Sequence, residues 1–339
     1  MKTFSLLLSI ILITSCGSVK KIDVHNIRTA YIEYNPVEPV NFGSEIEAKV
    51  IAMMLDGTEI DITNNRKLSI ISEDIQKNGL TKKFKIIKRP TSFNDNTANL
   101  TILVTDKEEV FQINDSIHMN FQGDLTIDLT GPDGLSAQNQ KNRSTRLLLR
   151  DGKNGEHGFH GANGQNADTY ISYIWQEDNL TYIYLRNSRT GEILRYKSLA
   201  QGIITFNLKG GNGGNGGNGG NGGNGRDGRL NEGKYTRPGN GGDGGNAGNG
   251  GNGGNGGTVQ IMIHPNNSGI EDKLQYKTAG GFRGNAGKAG EGGLAGTPVA
   301  GQTPGNPGRP GFTGQSGRNG VDGEVQPLTF EAFEFTQFK

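Results

Sequence analysis

Apolar and polar positions alternate in several short runs along the chain and then cease to alternate. Ile46, Ala48, Val50, Ala52 and Met54 fall on one face of an extended run whose other face carries Glu45, Glu47 and Lys49. That period of two predicts a half-buried β-strand. Asp56-Gly57 predicts a turn into a second strand over 58–63, and the stretches 83–88 and 100–104 continue the pattern. Further on, 170–175 and 180–186 predict a strand pair, and 193–196 a third strand after the Arg189-Thr190-Gly191 turn. The runs 202–208 and 258–263 alternate too, directly before and after a stretch that is nearly devoid of apolar residues.

Within that stretch the period is three. Glycine recurs at every third position from 210 to 228, in Gly-Gly-Asn triplets from 210 through 224. A second frame covers 239–257, with Asp243, Asn246, Asn249, Asn252 and Asn255 on its third face. A looser tract spans 281–323 and breaks its frame over 297–304, and 152–164 repeats the idea with bulkier fillers. A period of three fits neither helix nor strand and points to a polyproline II backbone. A disordered linker needs only composition. A strict register implies instead that something packs closely against the glycine face.

Ordered glycine triplets suit either a three-chain collagen helix or a single chain folded into polyglycine II rods. Collagen needs long uninterrupted runs rich in proline, whereas the two strict frames have only Pro238 and Pro265 near their edges. A second glycine in each triplet suits an inner rod with neighbours on more than one side. Asparagine is then expected on the outer face, with little structural duty. At roughly 3.1 Å per residue the 210–228 rod is about 60 Å long.

The order of strand, GGNGGNGGNGG, loop, GGDGGNAGNGGNGGNGG, strand and final GNPGRPGFTGQSGRNGVDG resembles a group of glycine-rich, collagen-like bacterial lipoproteins. The rods resemble the polyglycine II bundles of some antifreeze proteins and phage tail-tip adhesins. At the N-terminus a basic start and an apolar core over 4–13 precede Ile13-Thr14-Ser15-Cys16-Gly17, which resembles a lipobox. The apolar core is too short to span a membrane as a helix. The resemblance implies cleavage before Cys16, a diacylglycerol on its sulfur and firm membrane anchoring through several acyl chains. Gly17 in place of aspartate implies the outer membrane. The basic Ser18-Val19-Lys20-Lys21 differs from the acidic export signals of Bacteroidota lipoproteins, so a surface-facing and a periplasm-facing position both stay open. The stretch 45–63 resembles the middle of bacterial Ig-like domains, without the tryptophan common soon afterwards. The expected fold is mainly β: a signal peptide over 1–15, a tether over 16–22, an Ig-like β-sandwich over 23–107, and a strand-framed bundle of polyglycine II rods over 108–339.

Charge and composition narrow the function. A net charge of +1 excludes a general nucleic-acid surface. With 32% apolar residues, the rods must rely on backbone hydrogen bonds rather than on a core. Cys16 is the only cysteine, which excludes a disulfide, a thiol nucleophile and a thiolate metal site from the mature chain. His157 and His160 share one rod face but are separated by about 9 Å of rise, too far to share one zinc ion. The stretch 282–289 echoes a phosphate-binding loop, yet Phe282 stands at the first glycine position and Ala289 at the hydroxyl position. Asp227 and Asp243 are isolated among asparagines, which lack the charge for regular calcium binding. Glu331 and Glu334 read as surface charges. No catalytic constellation, cofactor site or metal site is expected. The connection 229–238 holds the candidate binding residues Arg229, Lys234, Tyr235 and Arg237, cations around a tyrosine that suit a glycan, an anionic polymer or a protein. Phe330, Phe333, Phe335 and Phe338 form either a docking strand or the last strand of the core. The expected function is a lipid-anchored, non-enzymatic structural or adhesive module of the cell envelope, with an envelope protein or glycan as partner. The alternative is an accessory subunit of an outer-membrane complex.

Overall fold

The computed structural model describes residues 22–77, 81–143, 151–267 and 269–338. The fold is mainly β, with short 3-10 turns and no α-helix among the described residues. The chain divides into two compact units that interleave in sequence: one takes residues up to 35 with 45–85 and 97–117, the other 36–44, 86–96 and 118–339. The expected boundary between 107 and 108 lies in the turn that joins two strands of the first unit, at Lys107 with φ 58.

The strands of the first unit are β1 (Ile27–Tyr34), β2 (Glu45–Met54), β3 (Glu59–Asp61), β4 (Leu68–Ile71), β5 (Ile75–Lys77), β6 (Lys83–Ile86), β7 (Thr97–Asp106) and β8 (Glu109–His118). One sheet has the order β1-β2-β6-β5 with β3 also on β2, and the other is β4-β7-β8. β2 alternates as its sequence predicts, with Ile46, Ala48 and Val50 buried and Glu45, Glu47 and Lys49 exposed. Beyond Val50 the alternation ends, and Ile51 and Ala52 are both buried where β1 and β3 flank the strand. The Asp56-Gly57 turn closes through the Met54 N–H on the Thr58 carbonyl at 2.8 Å, with Gly57 at φ +82. Thr63 is buried, accepting from the Val50 N–H at 2.9 Å and donating to Asp61 Oδ1 at 2.5 Å. Its hydroxyl is therefore satisfied on both counts, as a buried polar group requires. Val50, Phe84, Ala98, Ile102, Val104 and Ile117 are fully buried.

The second unit contains β9 (Leu125–Asp128), β10 (Thr169–Glu177), β11 (Leu180–Asn187), β12 (Ile193–Leu199), β13 (Ile204–Asn207), β14 (Arg229–Asn231), β15 (Lys234–Thr236), β16 (Thr258–Ile263), β17 (Leu274–Lys277) and β18 (Thr329–Phe330). Among these, β10 to β13 and β16 are the strands that alternation predicts. Between the strands run six tracts, numbered here in chain order: 131–143, 151–167, 209–228, 239–257, 279–297 and 305–323. Tracts 1, 3 and 5 are parallel neighbours. Gly131 and Gly134 donate to the carbonyls of Lys209 and Asn212, and Gly210, Gly213 and Gly216 donate to Ala279, Phe282 and Asn285. Tracts 2, 4 and 6 form the same parallel series through Gly152 to Asn240 and Gly241 to Asn306. Bonds between the two series run antiparallel, as in Gly211 to Gln165, Gly242 to Gly223, Gly284 to Gly251 and Gly311 to Gly290. Tracts 3 and 4 therefore bond to neighbours on four sides, and tracts 1 and 6 on two.

The strands set the register of the tracts. β9, β13 and β17 make a parallel sheet and lead into tracts 1, 3 and 5, while tracts 2, 4 and 6 lead out into β10, β16 and β18, neighbours in the sheet β12-β11-β10-β16-β18. Ile204 pairs with Leu125 in the sheet, and the Asn212 N–H meets Asp133 Oδ1 in the tracts; both pairs are 79 residues apart. Thr258 pairs with Thr169, and the Asn240 N–H meets Asp151 Oδ1, both 89 apart. The unit is thus built from three passes of strand, tract, tract and strand, with the β11 and β12 strands inserted after the first.

None of the tract glycines has the positive φ seen at Gly43, Gly57 or Gly233. Glycine is required there for space. A Cβ on Gly210 would overlap the Gly254 carbonyl, and one on Gly211 the Pro132 carbonyl.

Phe338 is buried in this unit, while Phe333 and Phe335 are partly exposed, and Phe335–Phe338 is a 3-10 turn rather than a strand. The rings of Phe333, Phe335 and Phe338 stack on or meet edge-on the fully buried Trp175, with centroids 6.2, 5.5 and 5.8 Å away. Arg195 Nε donates to the Phe338 carbonyl at 3.0 Å. Phe330 is half exposed in β18.

Candidate binding surface

Side chains at one position of each triplet form a second set of bonds, from tract to tract. In the first series Asp133, Ser136, Asn139 and Asn142 accept from the N–H groups of Asn212, Asn215, Asn218 and Asn221 at 2.6–3.1 Å. Those asparagines in turn accept through Oδ1 from Phe282, Asn285, Lys288 and Glu291 at 2.7–2.9 Å. The outer asparagines expected to have little structural duty are therefore acceptors for backbone donors that would otherwise have no protein partner. This corrects the reading of Asn218 as a passive surface residue. Its Oδ1 accepts from Lys288 at 2.7 Å and its N–H donates to Asn139 at 2.9 Å.

In the second series the rungs are Asp151-Asn240-Asn306, Asn154-Asp243-Arg309, His157-Asn246-Phe312, His160-Asn249-Gln315, Asn163-Asn252-Arg318 and Asn166-Asn255-Val321. His157 and His160 stand where asparagine or aspartate stands elsewhere, and each Nδ1 accepts from the next tract's N–H. Their position is explained by the same acceptor requirement that places Asp243 and Asp227, whose Oδ1 atoms accept from Arg309 and Thr297 at 2.7 Å. The bonds from the Thr297 backbone and hydroxyl hold the Asp227 carboxyl below its ordinary range. The stretch 282–289 lies in tract 5, its N–H groups engaged by Asn212, Asn215, Asn218 and by Asn319 and Ser316 of tract 6. A groove of about 680 Å3 lies along tracts 1 and 2, lined among others by Leu135, Lys141, Glu156, Phe159, His160 and Ala162. Glu156 forms an ion pair with Arg143 there.

Arg229, Lys234, Tyr235 and Arg237 all lie in or beside the β14–β15 hairpin, whose strands are exposed throughout. Glu232 at φ 48 and Gly233 at φ 77 make the tight two-residue turn that suits the strand twist. Register pairs Arg229 with Thr236, Leu230 with Tyr235 and Asn231 with Lys234. Arg229 and Lys234 therefore share one face of the ribbon, and Tyr235 lies on the other with Leu230. Arg237 follows β15 directly, two residues from Tyr235. Cys16 lies outside the described residues. The pattern that sequence reading missed is the asparagine ladder. Its signal was present: the third position is filled by Asn, Asp, Ser or His, all short side chains with an acceptor.

Comparison with protein-family models, with curated proteins and with solved structures finds no match for this chain.

Proposed function

We propose that this chain is a lipid-anchored, non-enzymatic structural and adhesive module of a bacterial cell envelope, an Ig-like β-sandwich spacer carrying a single-chain bundle of polyglycine II rods. The observation that carries the reading is the pairing of tract 3 with its neighbours. Within each Gly-Gly-Asn triplet of tract 3 from 210 to 221, all N–H groups bond to neighbours: Gly210 to Ala279, Gly211 to Gln165 and Asn212 to Asp133, and so along the tract. A segment paired at every triplet is ordered without a large apolar core, which suits a scaffold that holds an exposed polar face rigid. The lipobox resemblance at Cys16 supplies the anchor. The alternative, an accessory subunit docking through terminal aromatics, has less to support it, since Phe333, Phe335 and Phe338 are engaged by Trp175.

Membrane fractionation tests the anchoring. Cys16→Ala is expected to move the protein from the membrane to the soluble fraction, and retention equal to that of the parent chain would contradict the anchor. Protease shaving of intact cells then decides which side of the outer membrane the unit faces.

A further inference from the structure

Two adjacent rungs on the outer face of tracts 2, 4 and 6 bring together His157, Asn246 and Phe312, then His160, Asn249 and Gln315. The acceptor atoms of these rungs are turned to the tracts. Nδ1 of His157 and His160 accepts from Asn246 and Asn249 at 2.9 and 2.8 Å, and Oδ1 of Asn246 and Asn249 accepts from Phe312 and Gln315 at 2.9 and 2.8 Å. With Nδ1 accepting, the ring proton sits on Nε2, and each carboxamide keeps its NH2 group for another partner. The rungs therefore offer mainly donors, held in position before any ligand arrives, which lowers the ordering cost of binding. Phe312 is 79% exposed beside them. Arg309 and Arg318 are exposed in the same column; Asp243, the acid nearest Arg309 in its rung, has Oδ1 engaged by the Arg309 N–H.

We propose that this face binds an extended polyuronate, a polysaccharide of carboxylated sugars. Its chemistry matches what the face presents. The apolar side of a sugar ring stacks on an exposed aromatic, hydroxyl and carboxylate oxygens accept from the His Nε2–H and Asn NH2 donors, and carboxylates pair with the two arginines. In the rod geometry the rungs recur at about 9 Å, so a repeating polymer meets a repeating set of donors and each weak contact is multiplied along the chain. This inference rests on the proposed adhesive role and gives it a ligand and a face, distinct from the β14–β15 hairpin.

Affinity electrophoresis of the detergent-solubilised full chain in gels containing alginate, or the neutral glucan hydroxyethylcellulose, provides the test. Alginate is expected to retard the chain and hydroxyethylcellulose to leave its mobility unchanged. Phe312→Ala and the double variant Arg309→Ala/Arg318→Ala should each weaken retardation by about tenfold, the scale of an interface anchor, and Phe282→Ala, at an exposed ring of tract 5, should not alter it. Equal retardation in both polymers, none in alginate, or retardation that survives both face variants overturns the proposal. Amide exchange over 210–257 in the same samples separates the two readings. Lost retardation with slow exchange removes the polyuronate alone, whereas fast exchange in the parent chain removes the rigid adhesive scaffold as well.

Discussion

Gly216 and Gly217 are adjacent, yet they face different neighbours. A Cβ at Gly216 would overlap the Gly248 carbonyl of tract 4, and one at Gly217 the Gln138 carbonyl of tract 1. Backbone cannot step aside as a flexible side chain can, so Gly216→Ala and Gly217→Ala are each expected to cost about 1 to 3 kcal/mol in denaturant melts. Asn218→Ala leaves the Lys288 N–H without its acceptor and is expected to cost about 0.5 to 1.5 kcal/mol; a melt matching the parent chain would contradict the ladder. Asp227 tests the same ladder by pH, through its rung to Thr297. Its carboxyl is held below the ordinary range by the bonds from Thr297, so its contribution is complete above the unfolded carboxylate value near 4 and is lost as pH falls through the lower folded value. Asp227→Asn keeps an Oδ1 acceptor without the titration, as Asn224 does for Leu294. The variant should lose less stability than the parent chain between pH 4 and 2. The glycine frame was legible because only close approach demands so strict a register. The duty of Asn218 was not, since a solvated filler and a backbone acceptor have the same composition until the neighbouring tract is known.

Strands and tracts share one register, so an error in one propagates into the other. The offsets of 79 and 70 residues that pair tract 3 with tracts 1 and 5 are those of Ile204 with Leu125 and with Leu274 in the sheet. One residue inserted after Lys209 would turn every triplet of tract 3 away from its partners while β13 stays in place. Circular dichroism and melts should show loss of cooperative folding. One residue inserted at Ala300, in the exposed turn between tracts 5 and 6, should change stability by less than about 0.5 kcal/mol. The outermost tracts carry Pro132, Pro307 and Pro310. Proline lacks the N–H that an inner tract needs, so it belongs at an edge. Alternation revealed β10 to β12 and β16, because each has a buried and a less buried face; β13 alternates in sequence, although Ile204, Thr205 and Phe206 are all buried. Alternation did not reveal β9 and β17. These are four-residue strands whose pairing with β13 is parallel and long-range, and nothing local marks it.

At the scale of the whole chain, the sequence reads as a row of segments, whereas the two units interleave. The segments 36–44 and 86–96 belong with the later part of the chain. They are joined there by contacts such as Asn41 Nδ2 to Ser198 Oγ at 2.9 Å, both fully buried, and no local pattern announces a bond spanning 157 residues. The three passes of strand, tract, tract and strand were hidden for a related reason: each pass fills the same positions with different residues, glycine-poor in tract 1 and glycine-doubled in tracts 3 and 4. Glycine content follows the number of bonded neighbours. Tracts that bond on four sides carry two glycines in nearly every triplet, Ala247 of tract 4 standing at one of the glycine positions, and those nearer the edge carry bulkier side chains. The central claim is that these tracts are paired and rigid, and hydrogen exchange of the amides over 210–257 reads it directly. The account predicts slow exchange throughout both inner tracts, with faster exchange confined to the exposed β14–β15 hairpin. Fast exchange along the whole stretch would contradict it.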